Sequence, residues 1–127
     1  PELVRDVLDR LNQEMGVRGS LVVTDDGVVA AASMVREEDR DLLGALATDI
    51  SLKVKSALRE GGLEGHKRLV LDAEYGRIVL YDLDVASLVV VLDRTINAEA
   101  TMIEIESAAA RVKRLGRLFA AEEPSGV

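Results

Sequence analysis

The chain has 127 residues, of which 48% are hydrophobic, and this suits a single domain with a substantial core. Because 23 acidic residues outnumber 16 basic ones and the formal charge is −7, the composition disfavours general binding to nucleic acid or to anionic membrane surfaces. The sequence contains no cysteine, which excludes disulfides and thiolate metal sites, and its aromatic content of 2% leaves few rings for stacking on bases or sugars.

No apolar run approaches the roughly 18 residues that a membrane-spanning helix requires. The first ten residues, PELVRDVLDR, are polar and periodic, unlike a signal peptide. We therefore expect a cytoplasmic protein without membrane insertion. We also expect one domain over residues 1–120 and a disordered tail over residues 121–127.

The chain begins with a helical pattern and continues with two strand patterns. Apolar residues at helical spacing over residues 2–15, the last of them Met15, predict an amphipathic helix. Val17–Thr24 and Val28–Ser33 then flank Asp25-Asp26-Gly27. Since Asp and Gly tolerate the positive φ angles of tight turns, this stretch predicts a β-hairpin.

Residues 37–60 predict a long second helix, which opens on acidic residues, closes on basic ones and is followed by Gly61-Gly62. One apolar stripe is expected to pack on the sheet, and it consists of Leu43, Leu46, Ala47, Ile50, Val54, Ala57 and Leu58. Leu42, Ala45 and Leu52 lie beside this stripe, where an isolated domain would carry charges. This surplus indicates a helix-on-helix contact with another subunit, and scattered surface hydrophobes are the alternative interpretation.

Three further strand patterns with short connections predict an antiparallel meander over His66–Ala73, Arg77–Asp82 and Val85–Leu92. Because Val85–Leu92 is apolar on both faces, we expect it at the centre of the sheet with helices on both sides. His66–Ala73 then lies at a sheet edge, where two copies of the chain can pair around a two-fold axis. His66 itself is expected to be a solvated edge residue.

A final helix from Ala98 to about Ala120, capped by Asn97, completes the order α-β-β-α-β-β-β-α. The predicted fold class is α+β, with a five-stranded antiparallel sheet and helices on both faces. Basic residues are expected near the end of this helix, where they would complement its dipole, and a phosphate or acidic partner is the alternative; they are Arg111, Lys113, Arg114 and Arg117.

The polar residues favour no catalytic chemistry. The stretch Gly61-Gly62-Leu63-Glu64-Gly65 lacks the Lys-Ser/Thr ending of a P-loop, and the single histidine has no metal-ligand spacing. The carboxylates fall on turns and exposed helix faces, where solubility explains them. We therefore predict a non-enzymatic protein with no catalytic residue, no cofactor and no metal site.

The eight elements in this order resemble the Roadblock family of the dynein light-chain type over about residues 2–119. The stretches that carry the resemblance are GSLVVTDDGVVAAAS, EEDRDLLGALATDI and YGRIVLYDLDVASLVVVLD. Similar hairpin-plus-helix patterns occur in profilin-like, longin and sensor domains. The family includes bacterial and archaeal regulators of small Ras-like GTPases in motility and polarity signalling. The resemblance implies a homodimer whose third strands pair and whose second helices lie side by side, forming a platform for a GTPase.

The first functional hypothesis is a homodimeric regulator or scaffold for a small Ras-like GTPase, which would activate or co-regulate its partner. The residues predicted for the dimer interface are Leu42, Ala45, Leu52, Leu69 and Leu71, and those predicted for partner binding are Arg40, Asp41, Asp49 and Lys53. A small-molecule sensor domain is an alternative that requires a concave pocket lined by convergent polar groups. A trafficking or motor-associated adaptor is another, and it would use the same surfaces with a different partner.

Overall fold

A computed structural model describes residues 3–34, 36–74, 76–96 and 98–122, and in the last of these segments the side chains of residues 99–116. The predicted order of eight elements is confirmed. The elements are α1 (Val4–Leu11), β1 (Val17–Thr24), β2 (Val29–Met34), α2 (Glu38–Glu60), β3 (Arg68–Ala73), β4 (Gly76–Asp82), β5 (Ala86–Leu92) and α3 (Ala98–Glu122). The predicted cap Asn97 and the part of the predicted tail beyond Glu122 lie outside the described residues.

The five strands form one antiparallel sheet in the order β2-β1-β5-β4-β3. Strand β5 lies at its centre, as its apolar character on both faces predicts, and six of its seven residues are buried in the pattern BBBBBiB. Strands β2 and β3 are the two edges. The predicted position of β3 at an edge is therefore confirmed.

Two hydrophobic cores lie on opposite faces of the sheet. Helices α1 and α3 cover one face, where Leu8 and Ile105 pack with Val22, Leu88 and Val90. Helix α2 covers the other face, where its Ala47 packs with a separate set of strand residues, namely Leu21, Val23, Leu80 and Val89. The prediction of helices on both faces of the sheet is thus confirmed. Alternate residues of each central strand point to opposite faces, so each strand contributes to both cores.

The first helix ends at Leu11, earlier than its periodicity predicts, and Met15 lies in the following turn with 87% of its surface exposed. Asn12 explains the early end. Its side-chain amide donates to the backbone oxygen of Ser33 at 2.6 Å, and its side-chain oxygen accepts a hydrogen bond from Ser20 at 2.8 Å. The chain then reverses at Gly16, where φ is 85° and the side chain of Ile96 fills the space of a Cβ.

Two predictions about charged residues are wrong. Strand β3 begins at Arg68, so His66 is a half-buried residue of the preceding connection and not a solvated residue of the edge strand. Helix α3 continues to Glu122 and has no basic residue in its last turn, so Arg111, Lys113 and Arg114 do not complement its dipole there. Instead, Lys113 pairs with Asp84 in the β4–β5 turn at 3.0 Å. The side chain of Arg117 lies outside the described residues.

Candidate functional site

Helix α2 covers one half of its sheet face. It packs mainly on β1, β2 and β5. Gly44 allows this close approach, since a Cβ at that position would lie 2.8 Å from Cγ2 of Val29. The other half of the face, towards β3, is covered less completely. Leu80 of β4 is buried against α2, but Leu69, Leu71 and Ile78 are only half-buried, and we call this part the open half.

Within the described residues, no strand pairs with the outer backbone edge of β3, which lies next to this open half. The backbone N–H of Asp82 donates to the oxygen of Lys67 at 2.8 Å. Because successive residues of a strand direct their backbone groups to alternate sides, Leu69 and Leu71 also bond towards β4. Arg68, Val70 and Asp72 therefore direct their N–H and C=O groups away from the sheet.

The flank of α2 that faces β3 is apolar and partly exposed. Its residues line a small gap of about 10 Å³ against the open half of the sheet, bounded by Leu43, Leu46, Ala47, Ile50, Leu71, Ile78, Leu80 and Val89. Leu46 is 45% exposed and Ala57 is exposed, although the helical pattern assigns both to the buried stripe. They are exposed because the helix lies to one side of the sheet.

The structure separates the five residues predicted for a dimer interface into two groups. Leu42, which is 70% exposed, lies one turn before Leu46, and Leu46 lines the gap that Leu71 of β3 bounds. Leu52 lies on the opposite flank, where it contacts a small cleft beside the β1–β2 turn with Thr24, Asp25 and Thr48. Ala45 lies two turns before Leu52 on that same flank.

The four residues predicted for partner binding form two separate ion pairs on α2. Lys53 Nζ lies 3.0 Å from Asp49 Oδ2, and this pair shares the outward face of the helix with Leu42 and Leu46. The Arg40 guanidinium lies 3.7 Å from the Asp41 carboxylate at the start of the helix. All four side chains are exposed, so they are accessible but do not form one cluster.

The sequence did not predict Leu46 or Val70 as interface residues. Val70, on β3, is 40% exposed. On the α3 side of the sheet, the charged residues that flank Val70 have partners within the chain. Arg68 Nη1 lies 2.8 Å from Glu106 Oε1 on α3. Asp72 pairs with Arg77, its neighbour on β4. The three β3 residues whose backbone groups point away from the sheet are therefore positive, apolar and negative in chain order.

The described part of the chain holds no group of three or more His, Cys, Asp or Glu residues that could bind a metal ion. Within that same part, no helix is long and apolar enough to cross a bilayer. A cleft of about 440 Å³ lies between the segment before β3, the β4–β5 turn and α3. Its polar lining residues include His66, Lys67, Tyr81 and Lys113.

Comparison with other sequences supports the resemblance. The family model for the Roadblock/LC7 domain matches residues 3–93. An uncharacterized protein from Methanocaldococcus jannaschii is 31% identical over 117 residues, which cover 89% of this chain and 99% of that protein.

Solved structures show the same fold. A Roadblock/LC7 domain from Streptomyces avermitilis aligns with a TM-score of 0.82 at 18% identity, over 91% of this chain and 98% of the other. MglB from Myxococcus xanthus aligns with a TM-score of 0.84 at 14% identity, over 90% and 94% of the two chains. An MglB structure with a tetrameric arrangement aligns with a TM-score of 0.79 at 21% identity, over 87% and 85%. On the match of the family model and the identity with the archaeal relative, this chain belongs to the Roadblock/LC7 family.

Proposed function

We propose that the protein is a non-enzymatic, homodimeric regulator or scaffold that binds a small Ras-like GTPase. The observation that carries the proposal is the unpaired β3 edge beside a half-covered sheet face and an exposed apolar flank of α2. Membership of the Roadblock/LC7 family and the fold shared with MglB support it. The tetrameric arrangement of one MglB structure supports self-association in this fold.

In the proposed dimer, the β3 edges of two copies pair across a two-fold axis and extend the sheet. The α2 helices then lie side by side above the open halves of both sheets. Leu42 and Leu46 of each copy cover Leu69 and Leu71 at this contact, which removes their exposed apolar surface from water. Ala45 and Leu52, on the other flank of α2, are left outside it.

The paired α2 helices form the platform for the GTPase. The ion pair of Asp49 and Lys53 lies on the outward face beside the dimer contact, and Arg40 and Asp41 lie at the start of the helix. Exposed charges at the rim of an interface chiefly affect the association rate and specificity. We assign these four residues to partner recognition on that basis.

The test uses the full chain and a small Ras-like GTPase from the same organism, loaded with GDP or with a non-hydrolysable GTP analogue. Light scattering is expected to give the mass of a dimer, and titration calorimetry to show binding that depends on the nucleotide. The double variant Asp49→Lys/Lys53→Glu should keep the mass of a dimer in light scattering and should weaken GTPase binding several-fold, whereas Arg114→Glu on α3 should not weaken it. A wild-type monomer at micromolar concentration, or a dimer that binds neither nucleotide state, would contradict the proposal.

A small-molecule sensor is a second candidate, and the 440 Å³ cleft supports it because its volume and polar lining suit a small ligand. A thermal-shift screen with nucleotides and metabolites tests this candidate. A ligand that raises the melting temperature of the wild type but not of a Lys67→Ala/Lys113→Ala variant would favour the sensor. An adaptor role differs only in partner, and capture of a motor or trafficking protein instead of a GTPase would indicate it.

A further inference from the structure

Strand β3 is complementary to itself in charge. Along its free edge, Arg68, Val70 and Asp72 direct their backbone groups outward, and their side chains lie together on the α3 side of the sheet. We infer that Arg68 and Asp72 fix the register in which two copies of β3 pair and restrict pairing to chains with the same charge pattern. This inference rests on the proposed homodimer.

Backbone hydrogen bonding limits the registers to those that pair one outward residue with another. A two-fold axis at Arg68 or at Asp72 places like charges directly opposite each other, which is destabilising in antiparallel pairs. An axis at Leu69 or at Leu71 places a charged residue opposite Val70. An axis at Val70 places Arg68 opposite the partner's Asp72, and does so twice by symmetry.

The register centred on Val70 also matches the other face of the sheet. There, Leu69 lies opposite the partner's Leu71, so apolar side chains meet beneath the α2 flanks. On the α3 side, the existing ion pairs extend across the axis. Glu106 pairs with Arg68 and Arg77 pairs with Asp72 within one chain, so each half of the contact becomes an alternating row of four charges.

Specificity follows from the same arrangement. Consider a second chain with two acidic or two basic residues at the positions of Arg68 and Asp72. One of its two charges would then lie opposite a like charge on the β3 edge of this chain. Interfaces commonly discriminate between related partners by such repulsion. Arg68 and Asp72 therefore favour a second copy of this chain over Roadblock domains whose edges carry another pattern.

Charge reversal tests the specificity. Arg68→Asp alone and Asp72→Arg alone should each weaken self-association by roughly tenfold or more, since both symmetric pairs become repulsive. A mixture of the two variants should form a heterodimer of near wild-type affinity. The double variant Arg68→Asp/Asp72→Arg should self-associate but should not exchange with wild type. Circular dichroism and unfolding of each variant verify that the monomer fold is kept.

Cross-linking tests the register, because the natural sequence contains no cysteine. In the proposed register, Val70→Cys places two thiols on directly opposed residues whose Cα atoms are about 5.5 Å apart, within disulfide range. We expect rapid oxidation of this variant to a covalent dimer, and slow oxidation of Arg68→Cys or Asp72→Cys alone, whose thiols are four residues out of register.

The outcomes separate the two proposals. A monomeric wild type would overturn the proposed homodimer and, with it, the inference that Arg68 and Asp72 control β3 pairing. The wild type could instead be dimeric while Arg68→Asp and Asp72→Arg neither lose self-association nor pair with each other. That result would overturn only the role of Arg68 and Asp72 in β3 pairing. Faster cross-linking through Arg68→Cys or Asp72→Cys than through Val70→Cys would overturn the register.

Discussion

Lys55 Nζ lies 3.3 Å from Asp82 Oδ1 and thereby joins α2 to the end of β4. The carboxylate oxygen is buried and accepts no hydrogen bond from the residues that the structure describes. Asp25, in the β1–β2 turn, lies 3.9 Å from the same ammonium group. The lysine is therefore the charge that compensates a buried carboxylate oxygen where α2 meets the β1–β2 turn and the end of β4.

Lys55→Met should lower the free energy of unfolding by about 1–3 kcal/mol, because it leaves Asp82 without its counter-charge. Urea unfolding measures the change. Lys53→Met is the matched control on the same helix. Its partner Asp49 has a side chain that is 61% exposed, so that variant should stay within about 0.5 kcal/mol of wild type. Equal effects of the two variants would show that burial of the Asp82 oxygen contributes nothing.

Asn12→Ala should destabilise the protein by about 1–3 kcal/mol, since it removes hydrogen bonds from the fully buried Ser20 and from Ser33. Gln13→Ala, in the exposed turn that follows, is the control and should have little effect. If Asn12→Ala were neutral in urea unfolding, the early end of α1 would need another cause.

Stability should depend on pH through Asp9. A hydrogen bond from Ser33, and next one from Arg5, hold the pKa of the Asp9 carboxyl below its ordinary value. A lowered pKa in the folded state stabilises the protein above the pKa of the unfolded state, and that contribution is lost as the pH falls through the folded value. Because the Asp9 side chain is 49% exposed and solvent screens its charge, Asp9→Asn should be only slightly less stable than wild type at neutral pH.

The difference between wild type and Asp9→Asn should close below about pH 4. Unfolding in urea at several pH values from 7 to 2 measures it. A gap that stays constant or widens in acid would contradict the role of the ionised carboxylate.

Leu42→Glu should dissociate the proposed dimer, because it places a charge at the contact between the α2 helices. Leu52→Glu changes a similarly exposed leucine on the opposite flank of the same helix and should remain dimeric. Light scattering at several concentrations distinguishes them. Dissociation by Leu52→Glu with retention by Leu42→Glu would move the contact to the other flank.

The order of the elements was predictable because the period of the apolar residues changes between helices and strands, and short turn segments separate neighbouring strands. The central place of β5 was predictable because that strand is apolar on both faces. The end of α1 was not predictable, because Asn12 finds its partners in Ser20 on β1 and Ser33 on β2, outside its own helix. A local pattern carries no information about such contacts.

The sequence also could not predict that the interface residues fall into two groups around α2. Helical periodicity gives the angle of Leu42, Leu46 and Leu52 around α2, but not where the helix lies across the sheet. That position follows from the close contact of Gly44 with Val29 on β2. Once α2 lies towards β2, Leu46 faces open sheet and Leu52 faces a turn.

The lateral position of α2 has a thermodynamic consequence. In the proposed dimer, a second chain completes the core of a sheet face that one chain covers only in part, so folding and association become linked equilibria. The melting temperature of the wild type should then rise with protein concentration, whereas that of dissociated Leu42→Glu should not. The local concentration of the protein would in this way set how much of it is folded.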